Sequence, residues 1–399
     1  METEVRQMRE MREKKIVLDV FGSDAPERLI EGLADASDFL KENRLTVVLP
    51  GDPSLLETWL EQYGVAREVT EILPASQMIT NDDSPAMAVL RKKDASLTRG
   101  VRYLKEQEPA IGMISAGNTG ALLAGSVLIL GRLPGVILPA LATFLPTLGD
   151  HYPCMLDCGA NVDCTPVQLT QFALMGSALV QSMYGLKEPT CALLSIGTED
   201  KKGNALSKEA FARLKELPIR FVGNMEARDA LSGAYDVIVC DGFAGNILLK
   251  TIEGTAHFMM DMMDRYLDIY SGAACHAQTF AATDSAEYSV ENFMTPKAKA
   301  LIDGKTYDNR FAHRAVQGLS IDMDLGARGG AFLLGTHKIV MKIHGSSQKH
   351  SVLCALRQIL DVERGGFIER QQDLLEKALA EEMLEKAEQK EKQDASGER

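Results

Sequence analysis

The sequence predicts an α/β fold: a mostly parallel sheet with helices on both faces, followed by a helical extension after residue 250. Two observations carry this reading. Apolar runs too short for helices recur along the chain between stretches of helical spacing, and these runs repeatedly end in Gly, Asn and Asp. Parallel strands joined by crossover helices produce the first pattern. Ligand-holding turns at the carboxyl ends of such strands produce the second.

Taken in order, residues 1–14 read as a charged arm, and the fold begins with a strand at Ile16–Val20. Gly22, Asp24 and Pro26 make a turn into a helix through Leu29, Leu33 and Phe39. Leu45–Leu49 is a second strand, Gly51-Asp52-Pro53 ends it, a helix covers 54–63, and a third apolar stretch lies near Ile72. One or two helices follow Asp82, with a basic cluster at Arg91, Lys92 and Lys93 that reads as a solvated face. Ile111–Ile114 then leads into SAGNTGALLAGS, where Gly117, Asn118, Thr119 and Gly120 sit between a strand and an Ala/Leu-rich helix.

Met155-Leu156 leads into DCGANVDCTP, a helix spans Val167–Tyr184, and CALLSI at 191–196 leads into GTEDKKGN. Arg220–Val222 opens FVGNMEARD, and Val237–Cys240 opens DGFAGN. Glycine lets backbone N–H groups approach an anion at such a turn, and the helix dipole favours negative charge there. Beyond Gly254, Ile252, Ala256, Met259, Met263, Leu267 and Tyr270 fall at helical spacing. This methionine-rich stripe has two readings, a core or dimer helix and a mobile surface for an acyl chain, a partner or lipid. Residues 271–322 show weak periodicity, GARGGAFLLG reads as a glycine turn, and Ile339–Ile343 is a strand ending at His344-Gly345-Ser346-Ser347. The domain expectation is therefore an arm at 1–14, an α/β domain at 15–362 with a helical or irregular insertion at about 255–325, and a charged helical tail at 363–399 that frays.

The 399 residues carry a formal charge of −13, which argues against general nucleic-acid binding and for small, locally held anions as ligands. Seven cysteines, an odd number spread through apolar runs, point to a reducing compartment, and the cytoplasm fits. Cys154, Cys158 and Cys164 with His151 lack the spacing of a zinc knuckle, so no metal is expected. No apolar run approaches the ~20 residues of a membrane span, and the charged start has no signal-peptide core. Contact with a membrane surface stays open. No nucleophile elbow, dinucleotide fingerprint or P-loop is present, so neither covalent catalysis nor a cofactor is expected. The turns offer backbone donors, asparagines at 118, 161, 204, 224 and 246, one cation in Lys202, and aspartates Asp24 and Asp241. Such a donor-rich site suits an enzyme that holds phosphate beside a polarised carbonyl.

SAGNTGA, LDCGANVDCTP, IGTEDKKGN, VGNMEARD and DVIVCDGFAGNILLKTIEG, with GRLPG at 131–135 and HGSS at 344–347, closely resemble the bacterial PlsX phosphate acyltransferase family over roughly 15–270 and again from about 326 to 360. The resemblance implies transfer of a long acyl chain from acyl carrier protein to inorganic phosphate for phospholipid synthesis. It also implies a homodimer, a fold like that of isocitrate dehydrogenases and phosphotransacetylases, and peripheral attachment on the inner face of the cell membrane. The first turn departs from the family's D-A-M-G-G-D-H-A-P: Asp19–Pro26 reads DVFGSDAP, with Ser23 for a glycine and no histidine. Phe332 also replaces a proline in GGAFLLG.

The expected site is a single pocket. Phosphate sits among Gly117, Asn118, Thr119, Gly159, Asn161, Gly245 and Asn246, with Asn204, Asn224 and His344 also lining it and Lys202 polarising the thioester carbonyl. Asp241 and Asp24 have two readings, as groups that orient a donor or accept a phosphate proton and as turn and helix caps. Two other functions share these features: a coenzyme A-dependent phosphotransacylase, and a catalytically weak scaffold that binds acyl carrier protein or acyl chains at a membrane.

Overall fold

The computed structural model describes residues 13–147, 149, 151–271, 310–323 and 329–380. The described residues up to Leu248 and from Gly329 onward form one compact unit, and those within Leu249–Asp324 form a second.

The first unit is built on an eleven-stranded sheet, β1 (Lys14–Asp19), β2 (Leu45–Gly51), β3 (Thr70–Pro74), β4 (Ala110–Ser115), β5 (Ala140–Phe144), β6 (Cys154–Leu156), β7 (Thr190–Ser195), β8 (Arg220–Glu226), β9 (Val237–Val239), β10 (Ala331–Leu334) and β11 (Ile339–Lys342), in the order β3-β2-β1-β4-β11-β10-β5-β6-β9-β7-β8. Seven neighbouring pairs are parallel. The other three, β11–β10, β10–β5 and β5–β6, are antiparallel. The inner parallel strands β2 and β9 are buried along their whole length, whereas the edge strands β3 and β8 are only partly covered.

Helices α1 (Pro26–Asp35), α2 (Ser37–Glu42), α3 (Pro53–Gln62), α4 (Pro85–Arg91), α5 (Ser96–Glu106), α6 (Thr119–Gly125), α7 (Pro166–Tyr184), α8 (Ala205–Leu214) and α11 (Lys349–Arg364) belong to this unit; α9 (Gly242–Ser271) starts in it, and α10 (Arg310–Met323) belongs to the second. Their starts follow local chemistry. Pro166 opens α7 behind a capping box in which Thr165 and Gln168 satisfy one another's backbone donors, and Gly185 ends it at φ 69°. Helix α3 starts at Pro53 with Asp52 accepting from the Ser54 and Leu55 amides. Within the second unit, His313 Nδ1 lies 3.1 Å from Asp264 Oδ1, linking α10 to α9.

The structure adds to the sequence reading in three regions. Strands β5 and β10 were not expected: each is four or five residues long and flanked by glycines or prolines, so GGAFLLG reads as a turn although it pairs on both sides. Part of the stretch read as a helical or irregular insertion is helix α10, while 272–309 lies outside the described residues, as do the arm at 1–12 and the tail beyond 380. The stretch after Glu369 is helical through residue 380, and Phe367, Gln371 and Leu375 are buried, so this part packs as core rather than standing in solvent.

Candidate functional site

The antiparallel trio at the sheet centre decides where the turns lie. Strand β10 runs against both β11 and β5, and β5 runs against β6. The parallel set β6, β9, β7 and β8 therefore points opposite to the set β3, β2, β1, β4 and β11. The registers agree: Lys342, beside Ser115 at the end of β4, pairs with Ala331, whereas Asp157 at the end of β6 receives the amide of Leu141 near the start of β5. Carboxyl ends of the two sets thus lie at opposite ends of the sheet. The expected single pocket is divided: Asp24, Gly117, Asn118, Thr119 and His344 sit at the β1/β4 end, and Gly159, Asn161, Lys202, Asn204, Asn224, Asp241, Gly245 and Asn246 at the β7/β9 end.

At the β7/β9 end the organising group is Asp157, which the sequence reading left out of the site. It is fully buried. Its Oδ1 accepts the amides of Leu141 (3.0 Å), Gly159 (3.2 Å) and Ala160 (3.1 Å), and its Oδ2 accepts the Asn161 amide (2.6 Å) and side-chain Nδ2 (2.8 Å). Burial raises its pKa and these donors oppose the rise. The backbone donors expected to cradle phosphate at Gly159–Asn161 are therefore committed to the protein's own carboxylate, and the Asn161 side chain is committed to Asp157 and the Pro139 carbonyl.

Helix α9 is pressed onto this loop. A Cβ on Gly242 would lie 2.5 Å from the Asn161 carbonyl oxygen, and one on Gly245 would overlap that of Asp157. Gly245 thus serves close approach between backbones. Asp241 Oδ1 accepts the Ala244 amide at 2.7 Å, so its role here is that of a helix cap. Asn204 likewise caps α8 through the Ser207 amide (2.8 Å). Asn224, 6% exposed, donates to the Glu199 carbonyl and ties β8 to the Lys202 loop, while its Oδ1 has no partner. Lys202 after β7 and Asn246 in the first turns of α9, next to bare Gly159, are exposed near the ends of hydrogen-bonded neighbours β7 and β9, as are Asp163, Glu199 and Lys201 in the same turns. The buried thiols Cys154, Cys158, Cys191 and Cys240 are all pushed up by desolvation, which removes them as nucleophiles. Among the described residues no cluster of His, Cys, Asp and Glu could hold a metal.

At the β1/β4 end a second buried carboxylate, Asp19, accepts from Ser115 Oγ at 2.8 Å through Oδ2, while Oδ1 lacks a well-formed hydrogen bond. Desolvation pushes it up to about 6 against the pull of Ser96, Ser115, the Phe21 amide and Lys342. Lys342, lowered by burial to about 8, donates to the carbonyls of Ala116 and Ile343. Gly22, at φ +98°, lets the first turn approach Gly117, where a Cβ would come within 2.8 Å of Gly117 Cα. Ser23, the departure noted above, donates to the Gly345 carbonyl (2.8 Å), and the Asp24 amide donates to the same oxygen (2.9 Å). The Asp24 carboxylate is exposed beside Gly345. His344 Nδ1 lies 2.6 Å from Ser346 Oγ. Asn118 caps α6 through the Ala121 amide and donates to Asn81, and Thr119 is the first residue of that helix. Asp19, Asp157 and Lys342 were legible in principle as single polar residues ending buried runs, in KKIVLD, CMLD and IVMK.

Comparison with known proteins fits this architecture. A family model described as fatty acid synthesis protein matches residues 14–278. A phosphate acyltransferase from Exiguobacterium sp. is 38% identical over 345 residues, covering 86% of this chain and 94% of that one. One from Bacillus cytotoxicus is 39% identical over 346 residues, with 86% and 93% covered. Among solved structures, a phosphotransacetylase from Streptococcus pyogenes superposes with a TM-score of 0.53 at 16% identity, covering 92% of this chain and 98% of that one. The EutD phosphotransacetylase from Staphylococcus aureus gives 0.51 at 16% identity, covering 90% and 97%, and these two likenesses show the fold alone. By the extent of the family match and the identity to its relatives, the chain belongs to the fatty acid synthesis protein family, the PlsX phosphate acyltransferases.

Proposed function

We propose that this phosphate acyltransferase takes a long-chain acyl group from acyl carrier protein, passes it to inorganic phosphate, and so supplies acyl phosphate for phospholipid synthesis. The observation that carries the reading is that Lys202 and Asn246 are exposed together near the ends of neighbouring strands, beside a Gly159–Asn161 loop whose backbone donors are committed to Asp157. Lys202 offsets phosphate charge and polarises the thioester carbonyl, and the Asn246 amide donates to the tetrahedral oxyanion. A phosphate oxygen forms the C–O bond, the C–S bond breaks, and the thiolate leaves with the proton that phosphate gives up. Phosphate is anionic at neutral pH and needs no strong base. Gly117, Thr119 and His344 belong to the second set of turns, at the other end of the sheet. The protein acts as a homodimer at the inner face of the cell membrane in this reading, consistent with the absence, among the described residues, of a helix long and apolar enough to cross one.

Purified protein incubated with palmitoyl-acyl carrier protein and phosphate is expected to form palmitoyl phosphate, with palmitoyl-coenzyme A a poor donor. Preference for coenzyme A would replace the carrier assignment, and release of neither thioester above background would leave a binding scaffold.

A further inference from the structure

Lys202 is exposed on the loop 197–204, which joins β7 to α8, so its ammonium is placed only as well as that loop is held. The loop folds over one face of β7 and β8. Asn224 pairs with Leu193, and alternation along the strand puts Ser195 on the same face. Near the end of the loop Gly203, at φ +111°, packs so close that a Cβ there would come within 3.0 Å of Ser195 Oγ and 2.0 Å of Ser207 Oγ. Asn204 then caps α8.

In the middle of the loop the hold is Asn224. Its Nδ2 donates to the Glu199 carbonyl at 2.9 Å, and the same oxygen accepts the Lys202 amide at 3.0 Å. One carbonyl thus joins a buried side chain of β8 to the backbone of the lysine. The orientation of the Asn224 amide is fixed, because turning it over would set two acceptor oxygens against each other. Its Oδ1 is left without a partner in a residue 6% exposed, a cost that the bond to the loop has to offset. The Lys215–Asp200 ion pair (2.7 Å) also ties the loop, but both its side chains are exposed and it holds weakly.

Gly197 shows what the turn controls. A Cβ there would lie 3.1 Å from Lys202 Cγ and 2.8 Å from a Glu199 carboxylate oxygen, so the lysine stem and the carboxylate lie over the same buried glycine. The turn from Glu199 to Lys202 therefore sets how the ammonium stands against a competing carboxylate. A loosened turn lets the two pair, and the cation is then withdrawn from phosphate.

We propose that Asn224 is a positioning residue for acyl transfer: by holding the Glu199 carbonyl it fixes the turn that presents Lys202, and so aims the ammonium at phosphate and the thioester carbonyl instead of at Glu199. This rests on the acyl phosphate reading above. Asn224 touches neither substrate and acts through Lys202.

The test is a double-mutant cycle in the full-length protein, assayed with palmitoyl-acyl carrier protein and phosphate, with a melting curve recorded for each variant. Asn224→Ala is expected to lower turnover about ten- to a hundredfold and to raise the KM for phosphate, while the KM for palmitoyl-acyl carrier protein stays near wild type. In a Lys202→Met background the same substitution should cost less than about twofold, because the group it positions is already gone. Asn224→Asp keeps the shape and tests the donor itself. Ionised, that carboxyl cannot donate to the Glu199 carbonyl; protonated, it can, so turnover relative to wild type should recover as pH falls. This variant carries the test if Asn224→Ala fails to fold. An equal fold-loss with and without Lys202 would overturn the proposal, as would near-normal turnover of Asn224→Ala, an equal rise in KM for both substrates, or an Asn224→Asp to wild-type ratio that does not change with pH. A wild-type protein that forms no acyl phosphate sinks the functional reading itself, a separate outcome.

Discussion

Asp157 and Asp19 hold comparable places at opposite ends of the sheet, each fully buried where a parallel strand meets a glycine turn, yet their surroundings differ. Five donors surround Asp157, whereas Asp19 has one well-formed hydrogen bond, an orphaned oxygen and the half-buried Lys342 nearby. The first is a keystone that fixes its loop; the second is a charge that burial disfavours. The tripeptide Ala-Gly-Asn makes the same point. After β4, Asn118 caps a helix with its side chain. After β9, α9 has already begun at Gly242 under an Asp241 cap, so Asn246 falls inside the helix with its amide exposed. Identical residues therefore cap a helix at one end and lie exposed on a helix at the other.

Each prediction presses on that contrast. The largest effect is on turnover: Lys202→Met should lower phosphate-dependent thioester cleavage by roughly a hundred- to a thousandfold with an unchanged melting curve. Asn118→Ala, by contrast, should cost about 1 kcal/mol of stability through the lost cap. Near-normal turnover of Lys202→Met would remove its assigned role. Next, Asp157→Asn should lower unfolding free energy in urea by about 3 kcal/mol, because an amide replaces one acceptor oxygen with a donor facing backbone N–H groups. The matching Asp19→Asn should cost under about 1 kcal/mol at neutral pH or stabilise, since it removes a charge that burial disfavours. Equal losses for the two would erase the distinction.

Gly245→Ala should destabilise by about 2 kcal/mol, since its methyl would overlap the backbone of Asp157. Gly117→Ala, whose methyl would meet Ser115 Oγ at 3.2 Å and Asp19 Oδ2 at 3.3 Å, should cost less in the same denaturation experiment. The contrast extends to pH dependence. The folded Asp19 carboxyl titrates near 6, above its unfolded value of 3.8, so the native state binds the proton more tightly. Its stabilising contribution is complete below the unfolded value and is lost as pH rises through about 6, with a slope of at most about 1.4 kcal/mol per pH unit. Asp19→Asn should flatten stability between about pH 4 and 6, and an unaltered slope would assign it to other groups.

Much of this was legible in the chain. KKIVLD, LTVVLPG and AIGMIS announce buried parallel strands, and Thr165-Pro166 with Gln168 announces the start of α7. The short strands β5 and β10 were not, because four or five residues between glycines and prolines satisfy turn and strand patterns equally well. That gap had a consequence for the site. Without two antiparallel strands in the middle, all the Gly/Asn/Asp turns appear to share one edge.

The sequence by itself determined the α/β class, most strand and helix positions and the family, since these follow from local periodicity, turn chemistry and ordered motifs. Only the tertiary structure decided that the turns divide between two ends, that Asp157 fills the nest of amides expected to hold phosphate, and that Asp241 and Asn204 act as caps. The physical reason is that a donor's partner is set by which groups packing brings within about 3 Å, and that depends on strand direction and long-range pairing rather than on neighbours in sequence.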